Sequence, residues 1–376
     1  MFPVETFAPG AHFETANVRN LLRASGIEIS EAMCLGIGGG IAAGYQFCPS
    51  IQTYAFSTGS GVQLIPRVKM MTTNGAWYRD TFARLGVEID VRESTGKKAA
   101  QANLMAGLDA GKLVVAWTTA LGLAQTFNWT STCGMYTVLV HSIAGDTVTF
   151  SDHISVRKVG LEEFTAARDR VCSLKNRTMT ISDSKVGEKQ VKSAVLAGLQ
   201  ETVGDFEKPK LGTFNLPGLK EGVGLINGKS KRSWPVVFPG EKVLLPMRDV
   251  YESIEFGTGG GLMRPLYATF LDEAAALLAR PELGAVADLY RELGKEWTEF
   301  AEFLLPKPFA EMKKAMRQLA AGDTTRIAKL QELEQAPFPW DVGKIEAFRA
   351  ETSERLGVLY ERELAVSKEL AAAVGR

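Results

Sequence analysis

The first regular pattern in the chain is helical and follows His12. Five apolar residues recur there at near-helical spacing, namely Ala16, Val18, Leu21, Leu22 and Ala24. Gly26 comes next, and glycine commonly ends a helix. The pattern therefore predicts a helix from about residue 15 to residue 24, opening just after His12.

Strand patterns follow farther along the amino-terminal half. The runs LVVAW (113–117), YTVLV (136–140) and TVTF (147–150) are short, apolar and rich in β-branched residues. Such runs are typical of core strands. Gly145 and Asp146 stand between the last two runs, which predicts a hairpin turn there.

The carboxyl-terminal half changes to long helical patterns. From Val250 onward Ala, Leu, Glu, Lys and Arg dominate, and prolines separate the successive stretches. Before this part, residues 173–239 combine one amphipathic stretch with segments rich in Gly, Pro and Lys, which indicate turns. We predict an α+β fold class with an amino-terminal domain over residues 1–180, a connecting region over 181–249 and a helical domain over 250–376.

Charge and composition narrow the classes of function. The 43 Lys and Arg residues match 43 Asp and Glu residues, so no summed positive field favours nucleic acid. No run approaches the roughly 18 apolar residues that a membrane span needs, and the amino terminus lacks the pattern of a secretory signal. We therefore expect a cytoplasmic protein that binds neither nucleic acid nor membrane.

The cysteines and histidines do not follow metal-binding spacings. No C-x-x-C pair occurs, and we expect the four cysteines to be free thiols: Cys34, Cys48, Cys133 and Cys172. The three histidines form neither an H-x-x-x-H nor an H-E-x-x-H pair. The sequence therefore predicts no metal site.

Two glycine clusters invite comparison with nucleotide-binding loops. Residues 35–45 (LGIGGGIAAGY) contain a G-x-G-x-x-A pattern, yet no acidic residue that would bind a ribose follows before Asp80. Residues 255–267 (EFGTGGGLMRPLY) are not followed by the Lys-Ser or Lys-Thr of a P-loop. We predict close backbone packing at both clusters and no cofactor.

Two segments carry a resemblance to a known family. Residues 12–45 (HFETANVRNLLRASGIEISEAMCLGIGGGIAAGY) resemble the opening of the butirosin biosynthesis protein H family, and residues 254–275 (IEFGTGGGLMRPLYATFLDEAA) resemble the signature of the helical domain usually fused to it. The resemblance implies a papain-like, cysteine-peptidase-like amino-terminal domain followed by a mostly helical domain. It also implies transfer of an acyl group from an acyl carrier protein thioester to an amine.

The sequence departs from the family at the residues that carry this chemistry. The resemblance implies a cysteine nucleophile after the first histidine, where this chain has Phe13, and a histidine base at Met135, with one residue of uncertainty toward Tyr136. The third member of the triad is expected at Asp152. A thiolate exchanges readily with a thioester, whereas a phenyl ring forms no acyl-enzyme.

Other candidate catalytic residues remain. Cys133 lies two residues before Met135, so a relocated dyad of Cys133 with His12 is one alternative, and a buried apolar cysteine is the other. Without a covalent intermediate, the candidate acids and bases are His12, Glu14, Tyr136 and Asp152. His141, at the end of an apolar strand, is assigned a structural role.

Candidate substrate-binding residues come from both halves of the chain: Phe13, Glu31, Tyr45, Met135 and Arg264. Glu31 either lines the pocket or caps the nearby turn. Arg264 follows a glycine cluster and either binds an anion or forms a structural salt bridge.

Three hypotheses of function follow. The favoured one is a natural-product biosynthesis enzyme with an acyltransferase-like fold, acting as a non-covalent cyclase or condensing enzyme on a hydrophobic or carrier-derived small molecule. The second is acyl transfer from a carrier protein thioester to an amine through Cys133. The third is a non-catalytic partner of a carrier protein or sister biosynthetic enzyme, and the long carboxyl-terminal helices also suggest a homodimer.

Overall fold

The chain forms two compact units. The computed structural model describes residues 7–48, 53–54, 57–69, 75–119, 135–169, 174–210, 212–256, 258–321, 323 and 325–375. One unit comprises Met1–Gly39 and Lys69–Gly198, and we call it the sheet unit. The other comprises Gly40–Val68 and Leu199–Arg376, and we call it the helical unit.

Strands and helices alternate in the first half, and helices dominate the second. The strands are β1 (Gly44–Phe47), β2 (Thr53–Tyr54), β3 (Ser57–Thr58), β4 (Val62–Ile65), β5 (Val87–Arg92), β6 (Val114–Thr119), β7 (Met135–Ala144), β8 (Thr147–Ser151), β9 (Val156–Gly160) and β10 (Thr178–Ser184). The helices are α1 (Phe13–Ala24), α2 (Glu31–Ile37), α3 (Ala76–Leu85), α4 (Lys97–Asp109), α5 (Leu161–Asp169), α6 (Glu188–Glu207), α7 (Leu216–Ile226), α8 (Trp234–Val237), α9 (Leu244–Glu255), α10 (Arg264–Leu278), α11 (Pro281–Leu304), α12 (Ala310–Ala320), α13 (Arg326–Gln335) and α14 (Val342–Val374).

The sheet unit is built around a six-stranded antiparallel sheet with strand order β5-β10-β6-β7-β8-β9. Alternate residues of its central strands meet α4 and α5 in a core that excludes water: Leu104, Val114, Ala116, Val138, Val140, Val148, Phe150 and Phe164. The three predicted strand runs lie in β6, β7 and β8, and Gly145 and Asp146 form the turn between the last two. These predictions are confirmed, as is the first helix, which begins at Phe13.

The helical unit packs amphipathic helices around an apolar core. Its largest buried side chains come from α8, α9, α10 and α11, and they include Trp234, Tyr251, Tyr267, Tyr290 and Trp297. Pro281 opens α11 at a position where a helix does not need a backbone N–H. The long helical patterns therefore predict this part correctly, and the α+β fold class is confirmed.

Helices α6 to α9 occupy most of residues 181–249, which the sequence predicts to be a connecting region with turns. Two glycines of α7 permit close packing instead of marking turns. A Cβ atom at Gly222, within α7, would lie 2.5 Å from the ring of Tyr45, and one at Gly218 would lie 2.4 Å from the carbonyl oxygen of Thr213. A side chain at either position would force its neighbours to move.

The boundary between the units also differs from the predicted one at residue 180. Residues 40–68 belong to the helical unit, and the division in the second half falls inside α6. The reason is long-range contact: the Ser60 backbone N–H donates to the buried carboxylate of Asp249 at 2.5 Å, and Nε1 of Trp234 donates to the Tyr45 hydroxyl at 2.8 Å. Neither contact leaves a local pattern in the sequence.

The glycine clusters serve packing, as predicted. A Cβ atom at Gly38 would lie 2.0 Å from Nε1 of Trp77 in the sheet unit. In the helical unit, a Cβ at Gly40 would lie 2.4 Å from Oγ1 of Thr202, and one at Gly261 would lie 2.8 Å from the carbonyl oxygen of Gly294. Gly40 and Gly261 also have positive φ angles of 59° and 53°, which disfavour other residues.

Across the described part of the chain, no helix combines the length and the apolar character that crossing a membrane requires.

Candidate functional site

Glu31 holds the start of α1 in place. Its Oε1 atom accepts hydrogen bonds from the His12 N–H at 2.9 Å and the Thr15 hydroxyl at 2.7 Å, and its Oε2 accepts from the Ala11 N–H at 3.0 Å. Arg19 lies 3.5 Å from the same carboxylate. A carboxylate at the amino-terminal end of a helix satisfies unpaired N–H groups and complements the helix dipole. Of the two predicted roles of Glu31, the geometry matches the cap.

Four aromatic rings meet where α1 begins. The Phe13 ring centroid lies 4.4 Å from that of His12, 4.6 Å from that of Tyr136 and 6.4 Å from that of His153. His12 is buried, whereas Phe13, Tyr136 and His153 are each half-buried. We call these four residues the aromatic cluster. Three of its four rings are therefore partly accessible to solvent.

A hydrogen bond joins the two polar rings of the cluster. The Tyr136 hydroxyl oxygen lies 2.9 Å from Nδ1 of His153, and the tautomer of the imidazole decides which atom donates. Burial raises the pKa of Tyr136 well above its usual value, and the nearby Asp152 carboxylate adds to the effect. Burial lowers the pKa of His153, against the opposing charges of Asp152 and Glu31. Both groups are therefore held neutral near pH 7.

Asp152 shapes the turn that presents His153. Its Oδ1 atom accepts from the backbone N–H groups of Ile154 and Ser155 at 2.7 and 2.9 Å, and its Oδ2 lies 2.8 Å from Nε of Arg157. Its carboxylate is thus bound to its own loop and to β9. Asp152 was predicted to be the triad member that orients a histidine, but in the structure it builds the loop that carries His153.

Two contacts tie this loop and β7 to α1. The Gly10 N–H donates to the carbonyl oxygen of His153 at 2.8 Å, just before α1 begins. One turn into α1, the Asn17 amide donates to the carbonyl oxygen of Thr137 at 2.8 Å, and the Thr137 hydroxyl lies 3.0 Å from that of Tyr78. Because Thr137 follows Tyr136 in β7, these bonds hold the start of α1, and with it Phe13, next to Tyr136 and His153.

The structure brings together some predicted site residues and not others. His12, Phe13 and Tyr136 meet directly, and Asp152 lies beside them in the loop. Glu14 is buried on α1, with 1 % of its surface exposed. Cys133 and the side chain of Met135 lie outside the described residues, so the relocated dyad stays a prediction.

Tyr45 and Arg264 belong to the helical unit, and both have structural partners. The Tyr45 hydroxyl accepts a hydrogen bond from Nε1 of Trp234 at 2.8 Å inside the core. Arg264 is fully buried, with Nη2 2.7 Å from both Oε1 of Glu363 and the carbonyl oxygen of Ala42. Of the two alternatives for Arg264, the geometry matches the structural salt bridge.

Sequence reasoning missed His153. The residue follows Asp152 in the segment TFSDH, directly after the strand that pairs with β7, and that position was its only signal. His141 is separate from the cluster: its Nε2 lies 2.9 Å from the Ser151 hydroxyl, next to an irregularity in the β7–β8 register. This contact agrees with the structural role assigned to His141.

Within the part of the chain that the structure describes, no group of three His, Cys, Asp or Glu side chains could hold a metal ion.

Two family models match the chain. Residues 12–153 match the model described as Butirosin biosynthesis protein H, N-terminal, which is a papain-like domain. Residues 160–338 match the model described as Domain of unknown function (DUF4872). A comparison with curated proteins found no match. The aromatic cluster lies entirely within the first matched range.

Proposed function

Because this chain belongs to the butirosin biosynthesis protein H family, we propose that it is a biosynthetic enzyme that promotes a condensation or cyclisation at the aromatic cluster without an acyl-enzyme intermediate. Its acyltransferase-like fold supplies the cleft, and its substrate is an uncharged acyl compound such as a thioester. A carrier protein or a sister enzyme as partner, and a homodimer, stay predictions.

The observation that carries this proposal is the hydrogen bond between Tyr136 and His153 next to Phe13. Phe13 is the first residue of α1, the position at which the family resemblance implies a nucleophile. In its place stands an apolar ring that touches a phenol and lies near an imidazole. The side chains that meet there can transfer protons but cannot be acylated through a thiol.

A neutral pair of phenol and imidazole can both give and take a proton. When Nδ1 of His153 donates to the Tyr136 oxygen, the phenolic proton is available to a substrate carbonyl oxygen. When the phenol donates to Nδ1 instead, its oxygen can accept a proton as the phenolic one passes to the imidazole. A hydroxyl that donates to a developing oxyanion in an apolar site contributes strongly to catalysis.

The proposed reaction balances with these groups alone. An amine or enol nucleophile of the substrate attacks the thioester carbonyl carbon, and the electron pair of the C=O bond moves to oxygen, where Tyr136 donates a hydrogen bond. The C=O bond re-forms, the C–S bond breaks, and the thiolate leaves. The proton lost by the nucleophile passes through Tyr136 and His153 to the departing sulfur. Phe13 shields the reacting carbonyl from water.

Acyl thioesters of N-acetylcysteamine with an internal amine or an enolisable carbon test this proposal. Released thiol and product are followed by absorbance and by liquid chromatography with mass spectrometry. We expect Tyr136→Phe to lower kcat by about 10²- to 10³-fold with little change in KM, because the variant loses only the hydroxyl. Tyr290→Phe is the matched control, since it also loses a buried hydroxyl but lies in α11 of the helical unit, which contributes no residue to the aromatic cluster, and it should stay near wild type.

Intact-mass spectrometry after incubation with the same thioesters distinguishes the proposed non-covalent reaction from acyl transfer through Cys133. We expect no acyl adduct, and Cys133→Ala should turn over as fast as the wild type. An adduct that disappears in Cys133→Ala would instead establish transfer through a relocated cysteine. Turnover that survives Tyr136→Phe unchanged would refute the role given to the phenol.

A further inference from the structure

We infer that Arg157 is a positioning residue for His153: by pairing with Asp152 it keeps that carboxylate on its own loop and preserves His153 in the neutral form that a proton relay needs. The inference deepens the proposed function and rests on the pairing of Tyr136 with His153. It assigns a role to a residue outside the family triad.

The geometry of the loop places Arg157 where it controls Asp152. Arg157 lies in β9, and its Nε is 2.8 Å from Oδ2 of Asp152, the residue that directly precedes His153. The side chains of Asp152 and Arg157 retain only 6 % and 14 % of their exposure. An ion pair with this little contact with water is screened much less than one at the surface.

Without Arg157, one oxygen of Asp152 would lose its partner. The other oxygen already accepts two backbone N–H groups, from Ile154 and Ser155, so it stays fixed. The freed oxygen would carry an uncompensated negative charge next to the imidazole. An opposite charge within a few ångströms favours the protonated imidazole.

The other charged, titratable and aromatic groups around His153 come from α1, α2, β7, β9 and its own loop. Glu31 raises the pKa of His153, as Asp152 does, whereas burial and Arg157 lower it. Glu31 is already engaged by the N–H groups at the start of α1. Tyr136 from β7 contacts the imidazole directly, and the Phe13 ring of α1 faces it at 6.4 Å. His12 and Glu14 are the remaining titratable groups on this end of α1.

A protonated His153 would stop the relay in one direction. Both of its ring nitrogens would then donate, so the imidazole could not accept the proton that a nucleophile passes to Tyr136. The ion pair of Arg157 with Asp152 therefore sets the lower end of the pH range in which the site works. A merely structural ion pair would leave the titration of His153 unchanged.

Long-range ¹H–¹⁵N NMR of the full chain tests this inference, because only three histidines give signals. Single His→Gln variants assign each signal. We expect Arg157→Gln to move the titration midpoint of His153 upward by about one pH unit, and Asp152→Asn to move it downward. Lys158→Gln is the matched control: it removes a positive charge from the adjacent, exposed residue of β9 and should leave the midpoint in place.

The double variant Arg157→Gln/Asp152→Asn identifies how Arg157 acts. If it works by restraining Asp152, the effect of Arg157→Gln should shrink at least twofold in the Asp152→Asn background. A midpoint that stays at the wild-type value in Arg157→Gln overturns the inference, and Asp152→Asn provides the same test should Arg157→Gln fail to fold. The low-pH side of the pH profile of kcat should shift together with the titration midpoint of His153. A shifted midpoint in a protein without turnover would support the coupling and refute the proposed function alone.

Discussion

The buried ion pair of Arg264 with Glu363 gives the sharpest stability prediction. Arg264 opens α10 and Glu363 lies in α14, and neither side chain has any exposed surface. The Trp297 indole of α11 donates to the same carboxylate oxygen at 2.6 Å, so one acceptor joins three helices. Replacing Glu363 by Gln removes the negative charge and leaves the guanidinium buried without an ionic partner.

The expected cost follows from that burial. Removing one partner of a buried ion pair costs about 3–5 kcal/mol, because an uncompensated charge remains. The Gln side chain keeps one acceptor oxygen for Trp297 or Arg264, so we place Glu363→Gln at the lower end, about 3 kcal/mol. Changing both residues to Met removes both charges, and the cost then falls to about 1–3 kcal/mol for donors and acceptors left unpaired.

Urea unfolding followed by far-UV circular dichroism measures these changes. The matched control is Glu351→Gln on the same helix, which breaks an exposed i,i+4 pair with Arg355 and should cost at most about 0.5 kcal/mol. The reasoning is refuted if Glu363→Gln costs less than about 1 kcal/mol, or if the double Met variant is less stable than Glu363→Gln. Either result would reopen a ligand-binding role for Arg264.

Three further predictions concern pH, packing and the site. Burial lowers the pKa of His141, so the unfolded chain binds a proton that the folded one does not. The contribution of neutral His141 to stability should therefore be fully present above about pH 6.5 and be lost as the pH falls below that value. His141→Gln should flatten that slope by up to about 1.4 kcal/mol per pH unit in urea unfolding, and an unchanged slope would contradict this cause. Gly222→Ala should lower the free energy of unfolding by about 1–3 kcal/mol, because the added methyl group would collide with the ring of Tyr45. Gly224→Ala has open space around it and should raise the free energy of unfolding by up to about 1 kcal/mol. Phe13→Ala should admit water to the aromatic cluster and raise the NMR titration midpoint of His153 toward about 6.5. A midpoint that stays low would show that Phe13 does not shield Tyr136 and His153 from water.

Local patterns predicted the elements of the fold well, and long-range contacts explain what they missed. The helix after His12 and the hairpin at Gly145 and Asp146 are encoded in neighbouring residues, so periodicity and turn chemistry identify them. The pattern around Gly222 of α7 indicates a turn because the role of this glycine depends on Tyr45, more than 170 positions away in the sequence. A short stretch of sequence does not distinguish a glycine that forms a turn from one that allows a distant aromatic ring to pack against the backbone.

The candidate site was predicted in part for the same reason. Phe13 and Tyr136 were found because they occupy or adjoin positions that the family motif marks. His153 was missed because its place beside Tyr136 depends on the turn that Asp152 builds and on the bond from Gly10. The family resemblance places its histidine at Met135, with one residue of uncertainty toward Tyr136, and the contact with Phe13 that the structure describes is made by Tyr136.

The apolar and polar parts of the aromatic cluster depend on each other. Burial is the largest cause of the altered pKa values of both Tyr136 and His153, and it acts in opposite directions on an acid and a base. One change of environment therefore widens the pH range over which both groups are neutral. A thiol at the position of Phe13 would supply a nucleophile but less shielding, and a histidine at Tyr136 would supply a base but no phenolic proton. The residues at these positions therefore fit the proton exchange that we propose, and they supply no thiol through which a substrate could be bound covalently.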